Sequence, residues 1–201
     1  SSLKREVNYN NNYYFKKILI LYILAFVLAG ISMMSVKKIL YPGSLLFIIS
    51  GILVHGYGII SRMVIMGRPP VTTLYESILF VCFVLVLISI IIELIKKDYF
   101  GLLIGTIGGI ILHFIGLKYA SDGDTLGMLV AVLNSNFWLS IHVTTITFGY
   151  GVSLAAGLMA HLYLIYFIIK PDNSKILKKI HTNIYVLTLV ALFFTLFGTI
   201  L

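Results

Sequence analysis

Six long runs of apolar side chains, at 18–36, 39–61, 77–95, 99–117, 140–169 and 183–201, fill most of this chain and decide what it can fold into. A bilayer-spanning helix needs about 20 predominantly apolar residues, and in hydrocarbon only a helix or a closed barrel satisfies its own backbone hydrogen bonds. Each run is long enough. The 201 residues are 60% apolar and 11% charged, against roughly half and a quarter in a soluble domain. That balance excludes a disordered chain, a disulfide scaffold and a cytosolic globular enzyme. The expected fold class is all-α, a polytopic membrane helical bundle of about six transmembrane helices spanning 18–201. The fifth run is too long for an upright span and predicts a tilt or a projection beyond the membrane.

The formal charge of +8 would suggest nucleic acid in a soluble protein. In a membrane chain its natural partners are lipid head groups and the inner membrane face, so a lipid bilayer is expected as partner and nucleic acid is not. Loops 37–38, 96–98 and 170–182 carry Lys37, Lys38, Lys96, Lys97, Lys170, Lys175, Lys178 and Lys179, whereas loops 62–76 and 118–139 carry only Arg62, Arg68 and Lys118. Eight against three predicts that the first set is cytoplasmic and the second external. Residues 1–17 then form an external polar, basic linker, and its Lys4, Arg5, Lys16 and Lys17 oppose the rule. A large external domain upstream would remove the conflict, because long domains translocate largely regardless of charge. Tyr75, Tyr99, Tyr119 and Trp138 stand where an interfacial aromatic belt is expected.

The external loop Arg62–Glu76 is rich in conformational signals. Gly67 permits a sharp turn, and Pro69 and Pro70 extend the chain that follows and bias Arg68 the same way. Thr72 or Thr73 can cap the third helix, with Glu76 near its positive end. These features predict an ordered loop that holds Arg68 in place; composition alone is equally consistent with a plain helix connector.

Five histidines are the candidate metal or proton ligands. Without an H-x-x-x-H pair, paired cysteines or clustered carboxylates, the sequence gives little support to zinc, non-haem iron or iron–sulfur sites. It also shows no phosphate-binding glycine loop, serine elbow or carboxylate pair. His142 begins the fifth span beside Asn136, Phe137 and Trp138, at the water–lipid boundary, where it could reach an external planar ligand or simply bond water. His55 and His113 lie at membrane depth, where ionisable residues are candidate functional groups, although a neighbouring helix or carbonyl can equally satisfy them. His161 lies about 28 Å along the helix from His142 and cannot share its site, and His181 reads as part of the positive rim. Cys82 reads as a small core or lipid-facing residue. The glycines at 105, 108, 109, 149, 151 and 157 read as positions of close helix approach.

The segment Gly67-Arg68-Pro69-Pro70 followed by Leu74-Tyr75-Glu76-Ser77 resembles the GRPP…NLYES signature of CcsA/ResC-type cytochrome c biogenesis proteins. Asn136, Trp138, Leu139, Ile141, His142 and Val143 resemble the same family's SNWLxIHV stretch. The resemblance covers nearly the whole chain, and the basic leading segment looks like the junction after a ResB-like half in fused CcsBA-type proteins. It implies a system II cytochrome c synthetase (a haem–apocytochrome c lyase) of the bacterial inner membrane, with loops 62–76 and 118–139 periplasmic. Such proteins carry haem b to the outer face and attach its vinyl groups to the C-x-x-C-H thiols of apocytochrome c. On this resemblance His142 is an axial ligand of the haem iron and Trp138 lies beside it. Arg68 is suited to a haem propionate through its planar fork, and His55 and His113 remain further candidates. The family's tryptophan-rich motif, second external histidine and transmembrane histidine normally follow the region matched here, so this stretch alone is expected to be inactive. A membrane transporter segment for another small molecule, with His55 and His113 lining a path, and a non-catalytic assembly subunit are the alternative readings.

Overall fold

The computed structural model describes residues 14–34, 39–67, 69–121 and 136–201. Six helices form there: α1 (Tyr14–Met34), α2 (Leu40–Met66), α3 (Leu74–Lys96), α4 (Phe100–Ser121), α5 (Asn136–Ile169) and α6 (Ser174–Ile200). All six are long and apolar enough to cross a membrane, and the chain is a multi-pass membrane protein. The all-α bundle expected from the apolar runs is the fold observed.

Their ends follow from local chemistry. Pro42 is accommodated in the first turn of α2, where the missing N–H has no intrahelical partner to lose. Gly67 ends α2 in the left-handed region at φ 63°, its N–H donating to the Met63 carbonyl at 2.8 Å. Thr73 opens α3 from an extended conformation, with its hydroxyl accepting from the Glu76 N–H and the Glu76 carboxylate accepting from the Thr73 N–H. This reciprocal pair is a capping box. Asn173 caps α6 by accepting from the Ile176 N–H.

Several boundaries differ from those read off the apolar runs, because helices extend into polar sequence once their ends are capped or packed. α2 runs to Met66, so Arg62 is helical and buried rather than a loop cation. α6 begins at Ser174, which places Lys175, Lys178 and Lys179 on its first turns. α5 begins at Asn136; its 34 residues extend about 50 Å, beyond a hydrocarbon core of about 30 Å. The linker expected over 1–17 overlaps α1 from Tyr14 onward, and residues 1–13 lie outside the described residues.

α3 and α4 occupy the centre. α3 packs on α2, α4 and α5, while α1 pairs with α2 and crosses α4. α5 and α6 form an extensive pair attached to this core chiefly through α3. Close approach is set by small residues: a Cβ on Gly151 would meet the Val81 carbonyl of α3, and one on Gly198 the Ile146 backbone of α5. Gly157 departs from the packing role expected of it, since nothing lies within 4 Å of the Cβ it lacks. Tyr75 also departs from expectation: it is 9% exposed and packs against Phe15 rather than joining an interfacial belt.

Candidate functional site

Each end of α3 carries a buried carboxylate. At its N-terminal end, Glu76 Oε1 accepts from Arg62 Nε at 3.0 Å, and Oε2 accepts from the Thr72 hydroxyl at 2.7 Å and from the Thr72 and Thr73 amides at 3.2 Å. The Arg62 guanidinium also stands over the Tyr75 ring, 5.1 Å from its centroid. The turn between α2 and α3 is therefore tied to both helices, as its glycine, prolines and threonines predict. Arg68 lies outside the described residues.

At the opposite end, Glu93 is fully buried and accepts from the Tyr41 hydroxyl at 2.7 Å, the Tyr99 amide at 3.1 Å and the Leu102 amide at 3.4 Å. One carboxylate thereby joins α2, α3 and the start of α4. Exposed Lys96, Lys97, Lys170, Lys175, Lys178 and Lys179 surround this end. At the Glu76 end Arg62 is buried in its ion pair while Lys118 is exposed. Lys16 and Lys17 of α1, beside Phe15 and its contact with Tyr75, are also exposed at this end, so among the described residues six exposed lysines at one end stand against three at the other.

His142 stands on the second turn of α5, part-exposed, with exposed Phe137 and Trp138 one turn before it and their ring centroids 5.6 Å apart. Val84 of α3 meets Gly151 of α5 where the two helices run in the same direction. His142 and Tyr75 each lie nine residues before that contact, so they stand at about the same depth, at the Glu76 end. The turn between α2 and α3 and the start of α5, read separately along the sequence, belong to one end of the bundle.

The other two membrane histidines converge. His55 of α2 and His113 of α4 are buried, and their ring centroids are 4.8 Å apart in an edge-to-face arrangement. Cys82 of α3 completes a trio whose ligand atoms all lie within 4.8 Å of one another. The Tyr22 hydroxyl of α1 lies 3.2 Å from His55 Nδ1. Two glycines make room for that tyrosine: a Cβ on Gly51 or Gly109 would come within 2.6 or 2.8 Å of its ring. Phe15 and Phe83 close the cluster around His55. The sequence by itself makes Cys82 a small core or lipid-facing residue and shows no metal-ligand spacing. Cys82 is indeed core, but the grouping comes from three separate helices and leaves no local motif. His161 Nδ1 donates to the Gly157 carbonyl of its own helix at 2.7 Å. His181 is exposed and lies near Tyr163.

Six spanning helices, a lysine-rich end and an opposite end that carries a capped turn, an aromatic pair and an accessible imidazole define a polytopic helical membrane protein with a candidate ligand rim on one face. Comparison with known proteins gives distant homology to one group. The chain is 29% identical over 172 residues to the cytochrome c biogenesis protein CcsA of Guillardia theta, covering 84% of this chain and 54% of that protein. It is 31% identical over 106 residues to the CcsA protein of Trieres chinensis, covering 52% of this chain and 34% of that one. The chain thus spans about half the length of the first of these relatives. No family model and no solved structure matches it.

Proposed function

We propose that the protein acts in cytochrome c biogenesis, receiving haem b and holding it at the Glu76 end of the bundle for thioether attachment to the C-x-x-C-H motif of apocytochrome c. The observation that carries this reading is the placement of His142. In a chain distantly homologous to CcsA proteins, its imidazole is part-exposed at a helix end beside Trp138. Imidazole is an ordinary axial ligand of haem iron, and an exposed indole one helical turn away offers a flat face to a porphyrin edge. The iron belongs to the substrate that is passed on; the protein supplies a ligand, an apolar flank and orientation.

The charge distribution supports an orientation in which the lysine-rich end faces the cytoplasm and the His142 end faces outward, in the inner membrane of a bacterium. Apocytochrome c and a ResB-like half are the partners this reading requires. Arg68, next to Gly67 in the sequence, is assigned to a haem propionate.

The test is haem titration of the purified protein in lipid nanodiscs, followed by absorption spectroscopy. The expected result is a histidine-ligated, low-spin spectrum that is lost or altered in His142→Ala while helicity is unchanged. An identical spectrum and titration in that variant overturns the assignment.

A further inference from the structure

We propose that His55, Cys82 and His113 form a binding site for a soft monovalent metal ion, copper(I), in the middle of the bundle. The site is separate from the haem reading and does not depend on it.

The hydrogen bonds around the trio fix its chemistry. His113 Nδ1 lies 3.1 Å from the Gly109 carbonyl, which can only accept, so Nδ1 carries the proton and donates it. His113 Nε2 is then a bare lone pair. It is buried, as is His55 Nε2, and neither atom has a hydrogen-bond partner among the described residues. The Leu79 carbonyl approaches His55 without meeting hydrogen-bond geometry at Nε2. Buried polar atoms are nearly always satisfied, and two unpartnered imidazole nitrogens beside a buried thiol are the complement of a metal ion. Holding Nδ1–H on a backbone carbonyl, which leaves Nε2 as the ligating atom, is also the outer-shell arrangement that orients ligating histidines. Cys82 Sγ lies 3.3 Å from His113 Nδ1 and 3.7 Å from the Gly109 carbonyl, and Tyr22 lies against both imidazoles, its hydroxyl 3.2 Å from His55 Nδ1 and its ring centroid 5.5 Å from that of His113.

Charge and ligand softness select the ion. One thiolate and two neutral imidazoles form a His₂Cys set, and soft thiolate ligands favour copper(I), zinc and iron–sulfur clusters. On binding, Cys82 would lose its thiol proton to solvent and form a metal–sulfur bond, because a coordinating thiol is deprotonated outright. With copper(I) the complex is neutral. With zinc(II) it keeps one positive charge, and Arg62, Glu76 and Glu93 all lie toward the ends of the bundle, away from it. An unpaired charge in a low-dielectric interior is heavily penalised, so the neutral complex is preferred. A porphyrin bridged by the two rings does not suit this place, because imidazole–iron bonds of about 2 Å each on opposite faces, together with the ring radii, need more than the observed separation of 4.8 Å, whereas a small ion can take both nitrogens at a bent angle.

The test loads the purified protein in nanodiscs with copper(I) under anaerobic ascorbate, in competition with bicinchoninate. One copper per chain is expected, with one sulfur and two nitrogens in its X-ray absorption spectrum. Cys82→Ser should remove the sulfur shell and lower affinity more than the roughly 100-fold limit typical of outer-shell changes. Tyr22→Phe, which keeps the core volume, should lower it about 10–100-fold. His142→Ala should bind copper normally, so failure here and failure of the haem assignment are read separately. The proposal is overturned if the folded protein takes up no copper, if Cys82→Ser binds it equally well, or if zinc(II) is held as tightly.

Discussion

Arg62 Nε donates to Glu76 Oε1 across 3.0 Å, joining α2 to α3 where the two side chains are only 9% and 2% exposed. The two residues are fourteen apart in sequence, and the carboxylate simultaneously completes the capping box of α3 by accepting from the Thr73 N–H. The pair therefore fixes the angle at which the turn between the helices leaves the bundle.

Removing one partner strands the other. Glu76→Gln should destabilise the protein by about 3–5 kcal/mol, the cost of leaving a buried charge uncompensated. A double-mutant cycle with Arg62→Met should show a loss well below the sum of the single changes. Chemical denaturation in a single detergent, followed by helicity, is the measurement; additive losses would show that the two side chains are energetically independent.

The cap itself contributes separately. Thr73→Ala should cost about 1 kcal/mol, and Thr73→Ser should recover most of it, because its hydroxyl can accept from the Glu76 N–H. The comparison of midpoints at equal denaturant dependence checks this.

At the other end of α3, Tyr41→Phe removes one of three donors to Glu93. A hydrogen bond to a charged group contributes about 1.5–3 kcal/mol, and the two backbone amides that remain keep the loss within that range. Thermal unfolding of Tyr41→Phe beside the parent protein measures it; a larger loss would mean that the Glu93 carboxylate itself moves.

Two glycine substitutions should act in opposite directions. A Cβ on Gly101 would collide with the Ser89 carbonyl and come within 2.7 Å of the Glu93 amide nitrogen, so Gly101→Ala should force α3 and α4 apart at a cost of about 1–3 kcal/mol. Gly157 faces open space within α5, and Gly157→Ala should be stabilising by about 0.5–1 kcal/mol through the entropy of the unfolded chain. Paired denaturation curves decide the signs.

For the haem reading, Arg68→Ala should weaken haem retention while leaving the amount of folded protein unchanged. Haem content per chain after size exclusion is the readout, and equal retention would dispose of the propionate contact.

The sequence alone determined the class of fold. Runs of apolar residues near the thickness of a bilayer leave the backbone no partner but itself, so six helices followed from composition and spacing. It also determined the local punctuation: Gly67 ends α2 and the Thr73–Glu76 pair opens α3, because caps and turns depend on residues within four positions of each other. The candidate rim was legible in part. His142 and Trp138 could be placed at a helix start because the change from polar to apolar sequence marks one.

Tertiary structure decided which distant side chains meet. Arg62 looked like a loop cation because its partner is on another helix. His55, Cys82 and His113 looked like unrelated residues because they are spaced across three spans. Their grouping depends on the rotation of each helix about its own axis, which glycines at 51 and 109 set by admitting the Tyr22 ring. Lipid rewards any apolar face equally, so hydropathy carries no information about that rotation. Only packing against neighbouring helices fixes it.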